Sequence, residues 1–91
     1  MSNIKTQTEN PKGLHQRFYL QKIQQQPNGS VTFEQVDENA EYFVMRLDEG
    51  GKDREHIKAC RIGVHAYANS IEHHLPELAK DLRERYPLLD P

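Results

Sequence analysis

Four side chains that carry or can carry positive charge recur at helical spacing in the second half of the chain. They are Arg54, Lys58, Arg61 and His65, which follow one another at steps of four, three and four residues. These four residues are called the basic row. Residues three and four apart stack on one face of a helix, and such a row can bind phosphate or carboxylate oxygens. We therefore predict an anion-binding site at the basic row, to which Lys52 in the preceding loop and Arg46 contribute.

The basic row also has a simpler interpretation as a solvated helix face. Charged rows on helices usually face water, and exposed ion pairs contribute little free energy. The segment 76–86 carries acidic side chains that could neutralise the row. Arg46 is equally open to two interpretations, because an inward-pointing charge in a strand can prevent unwanted sheet pairing or can line a pocket.

His56 and Cys60 form a second candidate pair, four residues apart on the same predicted helix. Two ligands at this spacing can hold zinc, and a thiol beside an imidazole can act as a nucleophile. A closed zinc site needs four ligands, and a nucleophile needs exposure and a group that orients the base. Neither set is evident, so Cys60 is better explained as a small apolar residue of the core.

Three stretches in the first half of the chain predict β-strands at residues 17–25, 31–36 and 41–47. The stretch "PNGS" at 27–30 contains Asn-Gly, a strong hairpin signal because both residues tolerate positive φ. "VTFEQV" alternates apolar and polar residues, which is typical of a half-buried strand. "DENA" at 37–40 predicts a second turn. We therefore predict a three-stranded antiparallel meander.

Two helices are predicted to follow, at residues 54–73 and 76–86. Apolar residues recur at steps of three and four from Ile57 to Ile71, and Asp53 is a suitable N-cap. Pro76 favours a new helix, because proline is tolerated in a first turn but not in a helix interior. A single kinked helix is the alternative, since the apolar stripe stays in phase through Leu75.

The element order predicts an α+β fold with both helices packed on one face of the sheet. The first sixteen residues lack a period and predict a flexible N-terminal tail (1–16), which leaves one domain at 17–91. The third predicted strand is apolar on both faces, and the helices can cover only one. We expect a second copy of the chain to cover the other through Tyr42, Phe43, Val44 and Met45. The alternatives are that the tail folds across that face, or that a few apolar residues simply stay exposed, as is common on protein surfaces.

Composition excludes several classes of function. The formal net charge of −2 argues against a protein that coats nucleic acid through bulk charge. The single cysteine cannot form an intramolecular disulfide, which fits a reducing compartment. No apolar run approaches the ~20 residues that span a bilayer, and no signal peptide is visible. We predict a cytoplasmic protein without a membrane partner, a cofactor or a metal.

Three stretches, "AEYFVMRLDEGG", "AYANSIEHHLPELAKDL" and "RYPLL", carry a resemblance over residues 17–89. The chain resembles a loose group of small phage and prophage accessory proteins that share a Y-F-V strand, an A-Y-A helix and a P-x-L-A-x-D-L helix. The long tail and the "EGGKD" loop depart from that pattern. The resemblance implies a context among mobile elements and no functional residue, because the shared positions are structural.

These observations favour a non-enzymatic, homo-oligomeric binding protein. The leading hypothesis is a phage-encoded inhibitor of bacterial antiviral defence that sequesters a nucleotide-type anionic ligand at the basic row. The first alternative is an inhibitor that binds a host defence protein, such as a CRISPR complex. The second alternative is a small enzyme or metal site that uses His56 and Cys60.

Overall fold

The computed structural model describes residues 4–89, which form two compact units. The hairpin unit extends to Val44, and the helical unit begins at Met45. The predicted tail (1–16) and domain (17–91) include residues 1–3 and 90–91, which lie outside the described residues. The predicted domain boundaries, and the packing of the helices on one face of the sheet, stay predictions.

Residues 5–16 form a hydrogen-bonded loop at the start of the hairpin unit. Thr6 and Gln16 make an isolated parallel bridge, and the Gln16 N–H donates to the Lys5 carbonyl at 2.9 Å. Inside the loop the Thr6 N–H donates to the Glu9 carboxylate at 2.9 Å, and the Glu9 N–H donates to the Thr6 hydroxyl at 3.2 Å. The bond from the Thr6 backbone lowers the pKa of Glu9, because it stabilises the ionised carboxylate.

A single antiparallel hairpin follows, made of β1 (Gln21–Gln25) and β2 (Val31–Gln35). Its loop uses a turn in which the Gly29 N–H donates to the Gln26 carbonyl at 3.0 Å, and the Gln26 N–H donates to the Ser30 carbonyl at 2.9 Å. Gly29 has a φ of 88° and is the only described residue with a positive φ. Gly29 therefore takes the left-handed position of the turn. Asn28 does not have a positive φ, and its side-chain oxygen accepts hydrogen bonds from the Ser30 N–H and hydroxyl.

The prediction of a three-stranded meander is wrong. The described chain contains one two-stranded sheet, and residues 41–47 have no strand structure. The turn at 37–40 does form, since the Ala40 N–H donates to the Asp37 carbonyl at 3.0 Å and the Asn39 N–H to the Asp37 carboxylate at 2.8 Å. An apolar run at 41–47 shows that a segment suits burial but does not fix its pairing, because a strand exists only where a neighbouring edge accepts it.

The helical unit contains α1 (Arg54–Ile71) and α2 (Pro76–Arg85), which confirms two separate helices. Asp53 caps α1 by accepting the His56 N–H at 3.1 Å, and Pro76 occupies the first turn of α2. The buried apolar residues lie on α1 at helical spacing, with one on α2. They are Ile57, Cys60, Val64, Ala68 and Ala79. The two helices pack against each other around these residues.

Candidate functional site

The basic row lies along α1, whose start is fixed by the Asp53 cap. Its four members do not share one environment. Arg54 is exposed, Lys58 and His65 are half-buried, and Arg61 is buried with 6% of its surface exposed. Exposure therefore falls along the basic row from Arg54 to Arg61 and increases again at His65.

Arg61 is held by backbone carbonyls at both ends of the helical unit. Its Nε donates to the Leu47 carbonyl at 2.9 Å, and its Nη1 donates to the Pro87 carbonyl at 2.9 Å. The guanidinium carbon also lies 5.8 Å from the centroid of the Tyr86 ring, within the range of a cation–π contact. Arg61 thus ties the segment before α1 to the segment after α2, and charge-assisted bonds of this kind are the stronger ones.

His65 binds the same C-terminal segment as Arg61. Its Nε2 lies 2.7 Å from the Tyr86 carbonyl oxygen. Because a carbonyl oxygen only accepts, Nε2 carries the proton and donates. The inner half of the basic row therefore contacts two consecutive carbonyls, those of Tyr86 and Pro87, instead of facing open solvent.

The outer candidate cations lie near carboxylates of the same loop. The Arg54 guanidinium is 3.8 Å from the Glu49 carboxylate, and Arg46 forms a two-point pair with Asp48 at 2.7 and 3.2 Å. The bond from Arg46 lowers the pKa of Asp48 to about 2, and the same pairing raises the pKa of Arg46. Both pairs are exposed, so each contributes little to stability.

Lys52 and Lys58 complete the set of predicted anion contacts. Lys52 is exposed in the loop before α1, and neither lysine forms an ion pair within residues 4–89. In the structure, Arg61 and His65 both contact the segment that follows α2. Arg46 and Arg54 both contact carboxylates of the loop before α1. A role of these residues in binding an anion stays a prediction.

His56 and Cys60 are in contact, with Sγ and Nε2 3.5 Å apart. Cys60 is only 4% exposed and belongs to the apolar row of α1. Nowhere in the described part of the chain do three or more His, Cys, Asp or Glu side chains gather closely enough to hold a metal ion. The contact is accounted for by packing at a spacing of one helical turn.

A surface that the sequence does not single out lies on the hairpin. The register places Ile23 directly opposite Phe33 and Gln25 opposite Val31, so one face carries three apolar side chains. Ile23 is 68% exposed, Phe33 65% and Val31 46%. These three residues are called the hairpin apolar face. The opposite face is polar, with Lys22 paired to Glu34 and Gln24 to Thr32.

The residues predicted as an oligomer interface are also exposed. Tyr42, Phe43 and Val44 end the hairpin unit, and each presents a large apolar side chain to solvent. Met45 opens the helical unit, where its sulfur would lie 3.6 Å from a Cβ placed on Gly63. A role of these four residues in self-association stays a prediction. Val31 and Phe33 alternate with polar residues, which places them on one face of a strand. This alternation is the sequence signal that could have added the hairpin apolar face to the predicted interface.

Comparison with protein-family models, curated proteins and solved structures found no match. Within residues 4–89, neither helix combines the length and the apolar character that crossing a membrane requires.

Proposed function

We propose that this chain is a non-enzymatic binding protein that acts through protein–protein contacts and associates with a second copy of itself. One observation carries the proposal: no described residue of the hairpin unit is buried. An isolated two-stranded hairpin is marginally stable in water, and its stability normally needs more strands or a packed face. Another protein surface supplies what the hairpin unit lacks.

The exposed apolar side chains of the hairpin unit support a protein partner over a small ligand. Besides the hairpin apolar face, the unit exposes four aromatic residues, which are Phe18, Tyr19, Tyr42 and Phe43. Aromatic side chains are enriched at protein interfaces. Large exposed apolar patches mark interaction sites. Interaction with a host defence protein, and the phage origin of the chain, belong to this proposal and rest on the resemblance.

Sequestration of an anionic, nucleotide-type ligand is the second candidate. It is favoured by Arg61, a buried cation that forms no ion pair within residues 4–89. A buried charge is costly unless it is compensated, and an anion would compensate it better than two carbonyl groups do. The same two carbonyl bonds weigh against this candidate, because they already use the donors Nε and Nη1.

The test is the molecular mass of the native protein as a function of concentration. The monomer mass is 10.6 kDa, and we expect the mass to rise to a multiple of it by sedimentation equilibrium. Phe33→Asp should prevent association, because a charge in an apolar contact is strongly unfavourable. Phe43→Asp tests the predicted segment 42–45 in the same way.

Ile62→Asp is the matched control, since Ile62 is an exposed apolar residue of α1 outside both surfaces. If Phe33→Asp and Phe43→Asp both associate as well as Ile62→Asp does, a role of the hairpin unit in association is contradicted. Retention of a nucleotide-sized mass in native mass spectra, lost on Arg61→Gln, would instead favour the second candidate.

A further inference from the structure

The outer edge of β2 carries backbone groups that have no partner in the hairpin. In an antiparallel pair, hydrogen-bonded and non-hydrogen-bonded residue pairs alternate. Because the Gln26 N–H bonds to the Ser30 carbonyl, the alternation turns the N–H and C=O groups of Val31, Phe33 and Gln35 away from β1. Among residues 4–89, no backbone bond from another segment reaches these three residues. The edge is therefore open to pairing.

The same residues that open the edge carry the hairpin apolar face. Val31 and Phe33 direct their side chains to that face, and Phe33 lies opposite Ile23. A strand added at the β2 edge would gain main-chain hydrogen bonds and would extend the apolar face at the same time. Strand addition of this kind is a recurrent mode of protein recognition.

We propose that the edge of β2 pairs with the edge of β2 in a second copy of the chain, antiparallel and centred on Phe33. The resulting sheet has four strands in the order β1, β2, β2 and β1. This inference rests on the self-association proposed above and specifies its geometry. Four strands exceed the minimum that a free-standing sheet needs, which the hairpin alone does not reach.

The register about Phe33 brings compatible side chains together. Phe33 lies opposite the partner's Phe33, which extends the observed Ile23–Phe33 pair into an apolar row across all four strands. On the polar face, Thr32 lies opposite the partner's Glu34, where a hydroxyl can donate to a carboxylate. No like charges stand directly opposite each other, and Lys22 already faces Glu34 from β1.

The edge of β2 suits pairing better than the edge of β1. β2 reads VTFEQ and begins with three residues that favour strands, whereas β1 reads QKIQQ. β1 also carries Lys22, and lysine on an edge strand discourages further pairing. In the four-stranded sheet the better strand formers are central, and Lys22 stands on each outer edge.

Proline scanning of the two edges tests the geometry with a matched pair. Gln35 and Gln21 lie opposite each other in the register, and both turn their N–H groups outward, one on each edge. Gln35→Pro removes two intermolecular hydrogen bonds per dimer, so we expect the dissociation constant to rise about tenfold or more. Gln21→Pro removes none, and the constant should stay within about twofold of wild type. Sedimentation equilibrium measures both.

A cross-link gives a second, positive readout. Thr32→Cys and Glu34→Cys place the new cysteines opposite each other only across the dimer, at a pair without main-chain bonds, where side chains are closest. Mild oxidation of the two variants mixed together should yield a disulfide-linked dimer. Oxidation of either variant alone should yield no linked dimer, because each new cysteine would then lie opposite the partner's glutamate or threonine.

The outcomes separate this inference from the proposed function. A wild-type mass of 10.6 kDa at every concentration would overturn both. Dimers that form equally well in wild type, Gln35→Pro and Gln21→Pro, without the mixed cross-link, would overturn the edge pairing while self-association stands. Equal weakening by both prolines, again without the cross-link, would overturn the choice of the β2 edge.

Discussion

Two isoleucines show how differently the two units are built. Ile57 of α1 is 3% exposed, whereas Ile23 of β1 is 68% exposed. Both belong to regular elements with hydrogen-bonded backbones, so secondary structure alone does not decide burial. The helical unit has a second helix that packs on the apolar stripe of the first. The hairpin unit has two strands side by side, which cover edges of each other but no face.

The charged residues differ between the two units in the same way as the two isoleucines. The helical unit buries Arg61 and uses its donors to join the segments that flank the two helices. The hairpin unit keeps Lys22 and Glu34 on an exposed face. One unit is therefore stabilised from within by apolar contacts and a buried arginine. The other exposes its apolar and its charged side chains alike.

The two isoleucines provide the variants with the largest expected difference. Ile57→Ala should lower the free energy of unfolding of the helices by about 3–4 kcal/mol, through lost burial and the cavity left behind. Ile23→Ala should change it by less than about 0.5 kcal/mol, because that side chain is exposed in the single chain. Urea unfolding, followed by helical circular dichroism at the lowest usable protein concentration, measures both. Equal losses would contradict the difference in burial between the two side chains.

Two arginines of the basic row give the next largest difference. Arg61→Ala should lower the free energy of unfolding by about 2–3 kcal/mol. It removes two charge-assisted hydrogen bonds and leaves the Leu47 and Pro87 carbonyls without their donor. Arg54→Ala should cost under about 0.5 kcal/mol, since its contact with Glu49 is exposed.

The same urea transitions measure both arginine variants. Similar small losses in the two would mean that Arg61 is no more structural than an exposed member of the basic row. Arg61 would then be available to a ligand, as the sequence predicts.

The smallest effect concerns the exposed pair in the loop before α1. Asp48 has a pKa of about 2 in the folded chain, below its ordinary value of 3.8, because Arg46 stabilises the carboxylate. Since the folded value is depressed, the pair's stabilising contribution is present above pH 3.8 and is lost as the pH falls through about 2. In Arg46→Ala the carboxyl should titrate closer to 3.8, measured by carbon NMR of Asp48. An unchanged midpoint would mean that the pair does not persist in solution.

The helical unit was the more predictable part of the chain. The steps of three and four from Ile57, the Asp53 cap and Pro76 together specify two helices, because helices are built from local contacts. The burial of Arg61 was not predictable from these signals. Its partners are carbonyls 14 and 26 residues away, and a backbone carbonyl is present at every position of any sequence.

The hairpin unit was predictable only where it is local. The turn around Gly29 and the pairing of β1 with β2 follow from residues close in sequence. The lack of strand structure at 41–47 was not predictable, because the apolar run there indicates a preference for burial and does not identify an edge that would accept the segment. The same limit applies to the predicted interface at Tyr42–Met45, whose exposure fits a contact without identifying the partner.

In the proposed assembly the hairpin unit gains the additional strands that it lacks from a second copy, whereas the helical unit has its own core. Amide hydrogen exchange measured over a wide range of protein concentration tests this directly. We expect the protection of the Val31, Phe33 and Gln35 amides to rise with concentration, while the protection of the α1 amides stays constant. Hairpin amides that exchange at the same rate at every concentration would contradict it.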